Sequence, residues 1–160
     1  MALLVGRHAN KVDQKARVSV PKPFRASLFG ASDDAKSRTV YLFPSFKYAA
    51  VEGCAEGFME RLAGSLEDMD LFSDDQDDLA AVILESATAL TPDPEGRITL
   101  PAELMEHAGL KKGEEALFVG RGAQFRIWNP AAYAAQAQTQ LDRAKARGAT
   151  LKLSGGRDDG

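Results

Sequence analysis

One nine-residue pattern occurs twice in this chain, 80 positions apart. The first copy is Asp13-Gln14-Lys15-Ala16-Arg17-Val18-Ser19-Val20-Pro21 and the second is Asp93-Pro94-Glu95-Gly96-Arg97-Ile98-Thr99-Leu100-Pro101. Asp, Arg, a β-branched residue, a hydroxyl residue, an aliphatic residue and Pro recur in order. The offset is half of the 160 residues. Such an aligned match argues for internal duplication, so the fold must accommodate two copies of one unit.

A chain of this length makes one ordinary domain, or two small ones sharing a core. Its 44% apolar and 27% charged residues are those of a globular protein. Met-Ala-Leu-Leu-Val at the start is too short for a signal peptide or membrane span, and no later stretch qualifies, so a cytoplasmic location is expected. A single Cys54 excludes an internal disulfide. With only His8 and His107 beside it, no zinc site and no other cofactor is expected.

The net charge of -3 conceals a segregation. Residues 1–47 hold nine Lys/Arg against Asp13, Asp33 and Asp34, a balance of +6. Residues 52–106 hold fifteen Asp/Glu against Arg61 and Arg97, a balance of -13. Such a chain can attract an anionic partner with one region while staying acidic overall; the alternative is a solvated acidic midsection beside an ordinary basic terminus.

Residues 3–12 suit an extended segment, Asp13–Ala16 a tight turn and Arg17–Val20 a strand with Val18 and Val20 on one face. Pro21 opens a short helix carrying Phe24 and Leu28, which Gly30 closes. A polar loop from Ser32 to Arg38 leads to a strand at 39–43, and Phe46–Val51 is expected to return as a weaker one. Phe58, Leu62 and Leu66 then mark an amphipathic helix. Ser73 reads as the N-cap of another, with Leu79, Val82, Ile83 and Ser86 facing inward. Its Asp74, Asp75, Asp77 and Asp78 suit a helix start rather than a cation loop, which would need a glycine and a closing glutamate.

From Ala87 the order repeats: a strand at 87–90, a turn, a strand at 97–100, and a helix with Leu104 and Ala108 in the places of Phe24 and Leu28. Strands at 116–119 and 124–128 flank Gly120-Arg121-Gly122, a hairpin signal. Asn129-Pro130 opens an alanine-rich helix to about Arg147, with Tyr133, Ala134, Ala137, Leu141 and Ala144 on one side. Residues 148–160 are expected to be disordered. The divisions are thus a first half at 3–52, a helical insert at 53–86, a second half at 87–129, the helix at 130–147 and the tail.

In each Asp-x-x-x-Arg turn the Asp can bond backbone N–H groups two or three residues on, and Gly96 can take the positive φ such turns need. Arg17 and Arg97 emerge at the base of the outgoing strand, able to fork onto a carboxylate. The structural reading is that each pair pins its turn. The functional reading is that Arg17, with Lys15, Lys11, Arg7, Lys22 and Arg25, faces a polyanion. No phosphate loop, nucleophile elbow or His-Glu-x-x-His competes, so no enzyme is expected. His8 and His107 read as surface or edge residues.

Two such turns, each in a β-α-β-β half, resemble the MraZ family. The phrases Leu100-Pro101-Ala102-Glu103-Leu104, His107-Ala108-Gly109-Leu110, Leu117-Phe118-Val119-Gly120 and Phe125-Arg126-Ile127-Trp128 are similar to that family's second half. Pro44 to Cys54 resembles its alphaproteobacterial members, and the similarity spans residues 3–147. The resemblance implies an α+β fold of two AbrB-like, swapped-hairpin halves with a small β-barrel core and extra helices. It implies a DNA-binding transcription regulator of the division and cell-wall gene cluster and its own promoter. Such proteins bind short direct repeats as octameric or dodecameric rings, in the cytoplasm with the nucleoid. Asp13 and Arg17 take the first motif, Asp93 and Arg97 the second. Ala16 replaces the usual glycine, and Pro94-Glu95 a less acidic pair. The N-terminal copy is therefore expected to read DNA and the C-terminal copy to be mainly structural. The competing reading is a ring-forming protein that acts through a protein partner on its acidic helices, 54–86. A toxin-partnered relative of the same fold would need a binding tail, which the short Gly/Asp-rich end does not supply.

Overall fold

The computed structural model describes residues 3–30 and 38–153, so residues 32–37 of the expected polar loop and residues 154–160 of the expected tail lie outside it. The chain divides into two compact units, 1–130 and 131–160. In the first, β1 (Arg7–Lys11), β2 (Arg17–Ser19) and α1 (Lys22–Phe29) precede β3 (Val40–Pro44) and β4 (Val51–Ala55). Helices α2 (Glu56–Glu67) and α3 (Asp74–Ala80) follow, the latter running into a π-helical turn at Ala81–Glu85. Then come β5 (Thr88–Leu90), β6 (Arg97–Thr99), α4 (Ala102–Ala108), β7 (Glu115–Gly120) and β8 (Phe125–Trp128). The second unit is mainly α5 (Pro130–Arg147), in which no residue is buried and Leu141 is 50% exposed. Among the described residues the fold is thus mixed, with antiparallel sheet and five α-helices.

The strands pair across the repeat. One antiparallel sheet has the order β1-β7-β8-β4-β3-β5, so the first strand of each half lies beside the hairpin of the other. A separate two-stranded ribbon joins β2 to β6, again one from each half. Exchanging the halves (β1 with β5, β7 with β3, β8 with β4) leaves the sheet order unchanged, the signature of an internal two-fold. Both elements end up in one core. Val12, Val18, Val20 and Phe24 of the first half pack with Ile98, Leu100, Phe118 and Phe125 of the second. The rings of Phe24, Phe118 and Phe125 lie 5.8–6.4 Å apart in tilted and edge-on pairs, geometries their quadrupoles favour.

Strand β3 explains the helical insert. Val40 and Leu42 face the shared core, whereas Tyr41 and Phe43 point to the other side and pack with Cys54, Met59, Leu66 and Ile83. Helices α2 and α3 cover that second face. Burial there pushes the Cys54 thiol up to about 12, with the charge of Glu52 adding to the effect.

Two local expectations are corrected. Residues 46–50 are a bend rather than a strand, and the return strand is Val51–Ala55, so helix begins at Glu56. The cause is Ser45: its hydroxyl accepts from the N–H groups of Lys47 and Tyr48, and its own N–H donates to Ala50 O at 2.9 Å. That closes a serine turn in competition with a ladder. Ser86 is exposed rather than inward-facing. The π-helical turn adds a residue to the helical period, and the Ser86 hydroxyl donates back to Ala81 O, five residues earlier. The Ser73 cap is present, its Oγ accepting from Gln76 N–H at 3.1 Å.

Candidate nucleic-acid interface

The two Asp-Arg turns are nearly superposable in their bonding. Asp13 Oδ1 accepts from the N–H groups of Lys15 (2.9 Å) and Arg17 (2.8 Å), while Oδ2 accepts from Arg17 Nε at 2.8 Å. Asp93 Oδ1 accepts from Glu95 and Arg97 N–H, each at 2.9 Å, and Oδ2 from Arg97 Nε at 2.8 Å. Each turn is closed further by the Asp N–H donating to the Arg carbonyl at 2.9 Å. One carboxylate therefore holds the turn and orients the guanidinium of the outgoing strand. In both copies the Asp pins its turn.

These bonds act on charge. The carboxyls of Asp13 and Asp93 are both held below their ordinary value of 3.8, chiefly by the backbone N–H of the Arg four residues on, against a smaller opposing effect of desolvation. Arg97 is held upward, first by its bond to Asp93 and then, against desolvation, by the charges of Asp93, Glu95 and Asp13.

Position three of each turn separates the copies. Arg97 Nη2 donates to Glu95 Oε1 at 3.3 Å. The equivalent of Glu95 is Lys15, so the far end of the Arg17 guanidinium meets no second carboxylate among the described residues. Backbone strain separates them too. Ala16 holds φ 63° where Gly96 holds φ 80°, a region that disfavours any residue with a Cβ.

The turns lie side by side. In the β2–β6 ribbon Arg17 faces Thr99, Val18 faces Ile98 and Ser19 faces Arg97. Val20 N–H donates to Gly96 O and Leu100 N–H to Ala16 O, so each strand also closes on the other's turn. Alternation sends Val18 and Ile98 into the core and leaves Arg17, Ser19, Arg97 and Thr99 on the other side. Sequence spacing shows two motifs; the fold makes them one surface.

The remaining cations fall into subsets. Lys15 is exposed at the tip of the first turn. Lys22 and Arg25 line a groove of about 380 Å³ with His8, Asn10 and Ser19. Arg25 is half-buried there, its Nη1 donating to Val20 O at 2.7 Å and its guanidinium lying against Gly96. It braces the second turn from the first half. Arg7 and Lys11 are exposed on the opposite face of β1 from His8 and Asn10.

Several contributors have little sequence signal. Asn10 Nδ2 donates to Ser19 O at 2.7 Å, tying β1 to the ribbon. Lys111 and Lys112, both exposed, sit next to the first turn, because Gly113 N–H donates to Val12 O at 2.7 Å. Neighbouring Glu114 and Glu115 hide that pair in any count of local charge. His107, expected to be an ordinary surface or edge residue, has Nε2 at 3.1 Å from the carbonyls of both Ser45 and Tyr48, which requires Nε2 to carry the proton. It pins the bend after β3. His8 instead packs edge-on against Phe24, with ring centroids 5.1 Å apart.

Among the described residues there is no group of three or more His, Cys, Asp or Glu placed to hold a metal ion. No helix among them is long and apolar enough to cross a membrane. What the fold and site define is a mixed protein of antiparallel sheet and helices that presents one polar ribbon with paired Asp-Arg turns. A family model described as "MraZ protein, putative antitoxin-like" matches residues 83–153. The transcriptional regulator MraZ of Gluconobacter oxydans is 41% identical over 145 residues, covering 91% of this chain and 87% of that protein. Those of Gluconacetobacter diazotrophicus and Parvibaculum lavamentivorans are each 38% identical, covering 100% and 94% of this chain and 98% and 95% of theirs. This chain belongs to the MraZ family of transcriptional regulators.

Proposed function

We propose that this protein regulates transcription by binding double-stranded DNA through the β2–β6 ribbon, with Arg17 as the principal reader. The observation that carries the reading is the pairing of both Asp-Arg turns on one ribbon with four polar residues on its outer side. The major groove of B-DNA admits a two-stranded β-ribbon. Lys15 and Lys22 supply phosphate contacts beside it, and Arg7, Lys11 and Arg25 support them, Arg25 by bracing the second turn. The Arg97 tip, shared with Glu95, is the poorer anion ligand, so the second copy is mainly structural.

The exchange of β1 and β5 between halves supports the swapped-hairpin, AbrB-like reading, with halves at 3–52 and 87–129 around the helical insert. The family resemblance supports the finer assignment: short direct repeats upstream of the division and cell-wall gene cluster, including the protein's own promoter, bound by an octameric or dodecameric ring in the nucleoid. Repeated sites suit a ring, because contacts after the first become effectively intramolecular. A gel-shift assay with the native upstream region tests the reading; absence of any shift at low salt contradicts it.

A second reading is favoured by the loop between α2 and α3. Leu71 and Phe72 are 64% and 91% exposed there, among Asp68, Asp70, Asp74 and Asp75. That tip suits a protein partner, and a regulator acting only through it would survive loss of DNA binding.

A further inference from the structure

The C-terminal end of α5 and the segment after it form a second run of positive charge in the sequence, after the basic residues 1–47. Residues 143–153 contain Arg143, Lys145, Arg147 and Lys152 and no Asp or Glu. All four cations are exposed. None makes an ion pair among the described residues, whereas Arg17, Arg97 and Arg126 each hold a carboxylate. The carboxylate just before them, Asp142, accepts instead from Gln138 at 2.9 Å. Farther on, the sequence adds Arg157, Asp158 and Asp159, leaving residues 143–160 at +3, five cations less two acids.

Helix stability accounts for part of this. Lys145 and Arg147 lie in the last turn, where cations complement the helix dipole. Arg143 lies a turn earlier and Lys152 beyond the helix, so neither is explained that way. Helical geometry also sets where the charges point. At about 100° per residue, Arg143 and Arg147 point within about 40° of each other, and Lys145 points to the far side. The cations encircle the helix, with only Ala144 and Ala146 between them. A helix lying in a membrane surface needs a broad apolar face opposite its charges, and this end has none. Cations distributed around a helix suit phosphates, which a duplex presents at close, regular spacing.

We propose that residues 143–152 form a second, sequence-independent contact to nucleic-acid phosphates, resting on the reading of the ribbon as the DNA reader. Such a contact offsets the repulsion between DNA and an acidic chain whose midsection alone carries -13.

The test is the full-length triple variant Arg143→Gln/Lys145→Gln/Arg147→Gln against wild type, on the native upstream duplex and an unrelated one, across a salt series. The plot of log affinity against log salt should become shallower by about 2–3 on both duplexes, since each phosphate contact contributes roughly 0.9. Circular dichroism checks that the helix is retained, and Arg143→Lys/Arg147→Lys should keep the wild-type slope. An unchanged slope in a folded triple variant overturns the proposal while leaving the ribbon reading intact. So does binding of this segment to anionic phosphatidylserine vesicles in a wild type whose DNA affinity does not depend on the segment, a result to which Leu151 and Leu153, both almost fully exposed, would contribute. Failure of wild type to bind either duplex at low salt overturns the ribbon reading itself, and this proposal with it.

Discussion

Val18 lies directly opposite Ile98 across the β2–β6 ribbon, and both side chains are buried at its centre. The two are equivalent residues, 80 positions apart, so the internal two-fold passes between them. A contact between equivalents binds the halves at the point where the two turns are anchored. Ile98→Ala should therefore lower unfolding free energy by about 2–5 kcal/mol in urea titration. Combined with Val18→Ala the loss should be non-additive, because the side chains share one site.

The equivalent positions 16 and 96 should respond oppositely to substitution. Ala16→Gly relieves a left-handed conformation costing roughly 1–2 kcal/mol, against about 0.5–1 kcal/mol of added unfolded-state freedom, so the variant should be neutral to slightly stabilised. Gly96→Ala gains that strain, and its Cβ would also overlap the Arg25 guanidinium. A loss of at least about 1–2 kcal/mol is expected. Thermal melts of the two single variants measure the difference in sign.

Acid should open both turns together. The folded carboxyls of Asp13 and Asp93 titrate below 3.8, so their stabilisation is complete above the unfolded value and is lost as pH falls through the folded one. In an NMR titration the Arg17 and Arg97 amide signals, whose N–H groups donate to these carboxylates, should shift with midpoints under pH 3.8. Midpoints at or above that value would contradict the bonding described.

Much of this was legible in the chain because it is local. Alternation gave Val18 and Val20 one face, Pro21 and Pro101 opened helices, and Gly109 ended α4 in the left-handed conformation. The exchange of β1 and β5 was not readable from residue patterns, since either half could have closed on its own hairpin with the same residues buried. The bend at 46–50 has no periodic signal, because one serine hydroxyl and one distant histidine decide it. The site was legible in its turns and not in its assembly. Spacing cannot show that residues 17 and 97 share a ribbon, or that Arg25 reaches the other half's glycine.

Exchange of charge at the third turn position should move affinity in opposite directions. Lys15→Glu should reduce the steepness of salt dependence by about 1, and Glu95→Lys should increase it by about 1, if each Lys contacts one phosphate. Fluorescence anisotropy with a labelled upstream duplex reads both changes.

DNA reading by the ribbon, as proposed, depends mainly on its first copy. The most direct measurement is the affinity of Arg17→Ala and Arg97→Ala for the native upstream duplex, each shown to be folded by circular dichroism. A far larger loss is expected for Arg17→Ala, with binding by wild type that falls steeply with salt. Equal losses in the two variants, or wild-type affinity indifferent to salt, would contradict it.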